Sequence, residues 1–142
     1  MTTTSTSAAA KTARSSRIRV DGPDGPVMVD VDAIEQRIDA GMRPVIDAVS
    51  IDPAEITRIT KGLVGDVEKL LPVAEARFKD RGGHITLGLD SLRRRLDYQR
   101  PDPRSYPLNA AICAADLARS CRTLLKLLTG PEDPNQVVIS TW

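Results

Sequence analysis

Aromatic side chains are almost missing from this sequence. Phe78, Tyr98, Tyr106 and Trp142 make up only 3% of it, so a core must be built from Leu, Ile, Val and Ala. The same scarcity disfavours binding of single-stranded nucleic acid, which relies on bases stacking against rings. Histidine occurs once, at His84, and cysteine twice, at Cys113 and Cys121. A metal site needs several His, Cys or carboxylate groups converging at fixed spacing, and no Glu-x-x-His pair is present. No metal or other cofactor is expected. An excess of charge is missing too: 20 basic and 19 acidic residues leave a formal net charge of +1. No whole-molecule field therefore selects a polyanion or a membrane surface. No apolar run is long enough to span a bilayer. Lys11, Arg14 and Arg17 are not followed by the apolar segment of a secretory signal. These absences together read as a cytoplasmic chain with no membrane partner.

Catalytic patterns are equally scarce. There is no Gly-x-Gly-x-x-Gly, no phosphate loop and no nucleophile elbow. His84 follows Gly82-Gly83, and nothing else converges on it to make an acid–base site. Glu68 and Glu75 share a face, but that face points away from the apolar stripe and toward solvent. Cys113 and Cys121 are eight residues apart on one helical pattern, roughly 12 Å along its axis. A disulfide needs Cα atoms within about 7 Å, so both are expected to be reduced. Cys121 lies mid-stripe, where a thiol is normally an inert packing group. No enzyme activity is expected.

What the chain does have is helical periodicity. Its 142 residues suffice for one domain with a real core. Ala110, Ala114, Leu117, Cys121, Leu124 and Leu128 recur at steps of four and three, with Asn109, Asp116, Arg119, Thr123 and Lys126 on the other side. That is one face of an amphipathic helix, opening near Ser105–Pro107 and stopping at Gly130-Pro131. Ile34, Ile38, Gly41, Val45 and Val49 give a second stripe. Its start is predicted near Asp32, with Asp32 and Glu35 at capping-box spacing, and Pro44 predicts a kink. Asp52-Pro53-Ala54-Glu55 marks another start. From it run Ile56, Ile59, Leu63, Val67, Leu70, Ala74 and Phe78, with a bend expected at Pro72 and an end at Gly82-Gly83. Gly62 and Gly65 fall on the far face, where the simplest reading is tolerance on a solvated surface. Ile85, Leu89, Leu92 and Leu96 make a third, shorter helix closed by Arg100-Pro101-Asp102-Pro103.

The ends read differently. Residues 1–16 are Ser, Thr, Ala and two basic residues, a composition expected to be a disordered tail. No acid occurs before Asp21, so this tail could also tether an acidic partner or nucleic acid. Over 17–31, Ile18 and Val20, then Val27, Val29 and Val31, alternate around Gly22-Pro23-Asp24-Gly25, which predicts a β-hairpin. Val137-Val138-Ile139, within the tail 131–142, is the only other strand-like run and could pair with it. The expected architecture is all-α: a small antiparallel bundle of about four helices over 32–130, after a disordered tail and a short hairpin.

One charged feature stands out. Arg77, Arg81, Arg93, Arg94, Arg95, Arg100 and Arg104 form a candidate basic contact patch. Successive helical residues point about 100° apart, so Arg93, Arg94 and Arg95 cannot all face one phosphate stripe. A solvated rim with local salt bridges competes with a contact surface for DNA or an acidic protein. The Gly-Gly link suggests helix-turn-helix, yet no base-reading Asn, Gln or Ser follows it.

Leu70-Leu71-Pro72, Ala76-Arg77, Leu92-Arg93-Arg94-Arg95-Leu96 and Leu117-Ala118-Arg119-Ser120-Cys121 with Leu124 resemble a group of small actinobacterial proteins. These carry a domain of unknown function and are labelled "natural product biosynthesis protein". The resemblance covers roughly residues 52–128, mostly packing positions, and implies no reaction, cofactor or catalytic residue. The expectation is a non-catalytic accessory protein acting through a protein partner or self-association. A DNA-associated regulator using the basic patch and a helical binder of an apolar small molecule are the alternatives.

Overall fold

The computed structural model describes residues 17–47 and 52–130. The expected tail disorder, Val49 on the first stripe and pairing by Val137–Ile139 lie outside the described residues.

The hairpin forms as the alternation predicts. Strand β1 (Arg17–Gly22) pairs antiparallel with β2 (Gly25–Asp30). Ile18 faces Val29 and Val20 faces Val27. A two-stranded hairpin is marginal alone in water, but this one has a support. Val20 and Val29 are buried, and Ile18, Val27 and Val31 pack on the helical core. Pro23-Asp24 makes the turn, and Gly25 takes a φ of 123° that L side chains avoid.

Helix α1 (Val31–Ile46) follows without a linker. Its cap is Asp30, whose Oδ1 accepts from the Ala33 N–H at 3.1 Å, so the cap lies two residues before the predicted Asp32. The hairpin decides this: its last strand residue is already extended, which a capping residue requires. Pro44 sits in the last turn and the helix continues to Ile46. Ile34, Ile38 and Gly41 are buried, but Val45 and Ile46 are exposed, so the stripe stops earlier than predicted.

Helix α2 (Pro53–Phe78) buries every stripe residue from Ile56 to Phe78 and runs unbroken through Pro72. Its cap differs from the prediction. The Asp52 side chain makes no capping bond; its carbonyl accepts from Glu55 and Ile56 instead. Gly82 and Gly83, with φ of 63° and 66°, turn the chain into α3 (Gly83–Leu96). The last helix, α4 (Pro107–Thr129), is buried far more widely than one stripe. Thr123, placed on the polar side by its spacing, is buried, and its Oγ1 donates to the Arg119 carbonyl at 3.0 Å. Asn109, Asp116, Arg119 and Lys126 keep to the exposed or half-exposed side, as their spacing predicts; Thr123 alone of that set is drawn inward.

Contacts between the helices fix their directions. Arg37 on α1 meets Asp66 on α2, and Gly41, a turn later on α1, lies over Leu63, a turn earlier on α2. These two helices are therefore antiparallel. Arg77 reaches the Leu128 carbonyl at 3.0 Å, while Thr57 and Lys61 share a cleft with Ala110 and Cys113. Hence α2 and α4 run parallel, with α1 antiparallel to both. Gly41 lets α1 close on α4: a Cβ there would lie 3.1 Å from the Ala118 Cβ and 2.7 Å from a Leu63 methyl. The α1, α2 and α4 helices make the tight part of the bundle, and α3 packs chiefly on α2.

Candidate functional site

The arginines proposed as one patch have separate placements. Arg93 leaves α3 toward α2, where its Nε donates to Glu75 Oε2 at 3.1 Å and Nη2 also reaches that carboxylate. Glu75 therefore bridges two helices; it does not simply face solvent as its spacing suggested. Arg94, one residue on, points outward and bonds the Asp90 carbonyl weakly at 3.5 Å. Arg95, a further 100° around, is half-buried and turns toward α4. Arg77 ties the last turns of α2 and α4 together through the Leu128 carbonyl, and its guanidinium lies 5.7 Å from the Phe78 ring centre. Arg81 is exposed in the α2–α3 turn, and Arg104 is exposed in the α3–α4 connector. Arg77 and Arg81 thus sit at one end of α3 and Arg95, Arg100 and Arg104 at the other, separated by roughly 20 Å of helix. No single stripe collects all seven.

Two of the seven do converge. Arg95 and Arg100 line a groove where α3 and α4 draw apart. The groove encloses about 350 Å³, within the usual range for small-molecule sites. Leu92 and Leu117 floor it, and Tyr98, Ile112 and Cys113 stand along its walls. From Asn109 to Ser120 it follows α4 for roughly 16 Å. Large side chains are exposed at its edge and beside it: Tyr98 and Ile112, which line it, are 65% and 43% exposed, and Leu108, next to the lining residue Asn109, is 70% exposed. Leu108 is one turn from Ile112, so the two continue a single exposed strip.

Ser120 marks the deep end. It is 1% exposed, and its Oγ has no hydrogen-bond partner among the described residues. The other such hydroxyl, Thr86 Oγ1, is outside the groove, in the first turn of α3. A buried, unpartnered hydroxyl costs about 1–3 kcal/mol. Thr123 relieves the same cost by bonding back to its own helix; Ser120 does not.

Charge in the groove is positive. Arg95 has no carboxylate partner among the described residues, and Arg100 bonds only the Leu96 carbonyl at 3.5 Å. Among the described residues one acid lines it, Asp116, which accepts from Arg119 at 3.0 Å. Arg100 and Cys113 also line a second cleft of about 270 Å³, on the other side of the connector, with Lys61 and Val64. Burial pushes the Cys113 thiol up, against the opposing pull of Arg100.

The remaining candidates are placed plainly. Both cysteines are free thiols. Cys121 lies in the core near the Arg37–Asp66 pair, and burial pushes its thiol up to about 12. Arg37 holds Asp66 through Nε–Oδ2 at 2.5 Å and Nη2–Oδ1 at 2.7 Å. The stem of Arg37 crosses Gly62, where a Cβ would lie 3.0 Å from Arg37 Cδ. Gly62 therefore makes room for this bridge and does not sit idle on a solvated face. Gly65 has open space beside it. His84 is exposed at the start of α3. Among the described residues no three His, Cys, Asp or Glu groups cluster as a metal site would. No helix is long and apolar enough to cross a membrane.

Fold and groove together define a small four-helix bundle, preceded by a hairpin, with an arginine-lined cleft between its third and last helices. Residues 32–133 match a family of unknown function (DUF6415), and the chain belongs to that family. The match takes in all four helices, wider than the resemblance read from the sequence, and leaves the hairpin outside it. No match was found among curated proteins or among solved structures.

Proposed function

We propose that this chain is a non-catalytic accessory protein that works by binding, and that the α3–α4 groove holds an apolar small molecule. The observation that carries this is the groove itself: a cleft of ligand size, floored by Leu92 and Leu117. A cytoplasmic location, read from the sequence, and an association with natural product biosynthesis, implied by the resemblance, belong to the same proposal. So does the lack of catalysis, since no nucleophile–base or paired-acid geometry faces the groove. Cys113, the one thiol lining it among the described residues, is held protonated by burial. The test is calorimetry and amide shift mapping with decan-1-ol. Binding should shift amides of Leu92, Ile112 and Ser120, and Cys113→Trp, which fills the cleft, should abolish it. Absence of binding, or shifts confined to other surfaces, contradicts the reading.

A second reading has its own observation. Tyr98, Leu108 and Ile112 keep large apolar surface in water, flanked by Arg95 and Arg100. Tyrosine and arginine are enriched where proteins meet, so this rim favours a partner protein or self-association. Sedimentation of the wild type against Leu108→Glu would reveal self-association as a concentration-dependent mass lost in the variant. Duplex DNA binding, the remaining alternative, finds no continuous arginine stripe to support it.

A further inference from the structure

We infer that the groove selects an apolar organic anion, a body of about ten carbons carrying one carboxylate or similar acid. The inference rests on the small-molecule reading above and names the chemistry of the ligand. Two observations support it. Much of the lining is apolar, with Leu92, Leu117 and Ile112 placed to cover a hydrocarbon body. Two half-buried guanidinium groups, Arg95 and Arg100, reach the groove and have no carboxylate partner among the described residues; the one acid among these that lines it is already held by Arg119. A guanidinium offers paired N–H donors that match a carboxylate in geometry as well as in charge. Partial burial weakens solvent screening, so the preference for an anion persists beyond what a surface arginine would give. At the far end the Ser120 hydroxyl is sealed from the groove as well as unpartnered among the described residues, so it takes no part in recognition.

Three probes of equal apolar body separate these contributions: decanoate, decan-1-ol and decylammonium, titrated into the full chain by calorimetry at low salt. Decanoate is expected to bind at least ten-fold more tightly than decan-1-ol, with decylammonium weakest. Raising the salt should narrow the gap between decanoate and the alcohol. Replacing both guanidinium groups (Arg95→Gln with Arg100→Gln) should bring decanoate down to the affinity of the alcohol while leaving the alcohol unchanged. Circular dichroism of each variant checks that the fold is kept. If decan-1-ol binds as tightly as decanoate, the anion preference is overturned and the groove reading stands. If none of the probes binds, both are overturned.

Discussion

Helices α3 and α4 come from similar periodic patterns and end with opposite roles. Along α4 buried residues run from Ala110 to Leu128 over most of the circumference and include Ser120 and Thr123, leaving one solvated strip through Ile112, Asp116 and Lys126. Along α3 only Ile85, Gly88, Leu89 and Leu92 are buried. The alanines of α4 let α1 approach closely, through Gly41 against Ala114 and Ala118, and α2 lies along its other side. Helix α3 rests mainly on α2, so Ile112, Cys113 and Leu117 of α4 are left lining open space. The gap left between them is the groove. A helix closely packed on several sides resists change, whereas a helix held on one side leaves room for a ligand.

Substitutions can break this contrast or sharpen it. Leu124→Ala, at a fully buried position of α4, should cost about 3 kcal/mol in denaturant unfolding. An effect under about 1 kcal/mol would mean that α4 is not the hub. Asp66→Ala should come next. It leaves Arg37 unpaired, and because that arginine is 40% exposed the loss should be about 2 kcal/mol, between surface and buried pairs.

Cys121 gives a pH signature. Its folded-state pKa, about 12, is raised above the ordinary thiol range, so the folded state holds the proton longer than the unfolded chain. Its contribution is therefore fully present below about pH 8.5 and is lost as pH climbs toward 12, at no more than about 1.4 kcal/mol per pH unit. Thermal midpoints of wild type and Cys121→Ala, followed from pH 8 to 10.5, should converge as the wild type loses this advantage. Parallel curves would show that the thiol is not buried.

Ser120→Ala should go the other way and stabilise the ligand-free protein by about 1 kcal/mol, because it removes an unsatisfied hydroxyl. A loss of that size would mean that Ser120 is bonded after all. The smallest effect belongs to the groove wall: Ile112→Gln should change stability by less than about 0.5 kcal/mol while weakening decanoate binding.

Much of the bundle was legible because hydrophobic period and stop signals agree at each helix. Every stripe residue from Ile56 to Phe78 is buried, and so is each of the six on α4. The hairpin was legible from alternation around Gly22-Pro23-Asp24-Gly25. Period alone could not show how many sides of a helix are covered, which is why Thr123 was misplaced. Nor could it show what lies across from Gly62 or Glu75, since both depend on long side chains from another helix. The groove was the least legible part. Arg95 and Arg100 were visible as charges, but their separation from Arg77 and Arg93 follows from the placement of α3. One signal was available: Leu108 and Ile112 are large apolar residues one turn apart, off the α4 stripe, where a solvated face would carry polar groups.

Amide hydrogen exchange of the full chain, with and without saturating decanoate, tests the contrast between α3 and α4 most directly. The account predicts that α4 amides from Ala114 to Leu125 exchange only with global unfolding, while α3 amides from Leu89 to Leu96 exchange sooner through local opening. Decanoate should slow α3 well beyond any change at α1. Equal protection of α3 and α4 in the free protein, with no selective slowing by the ligand, would contradict it.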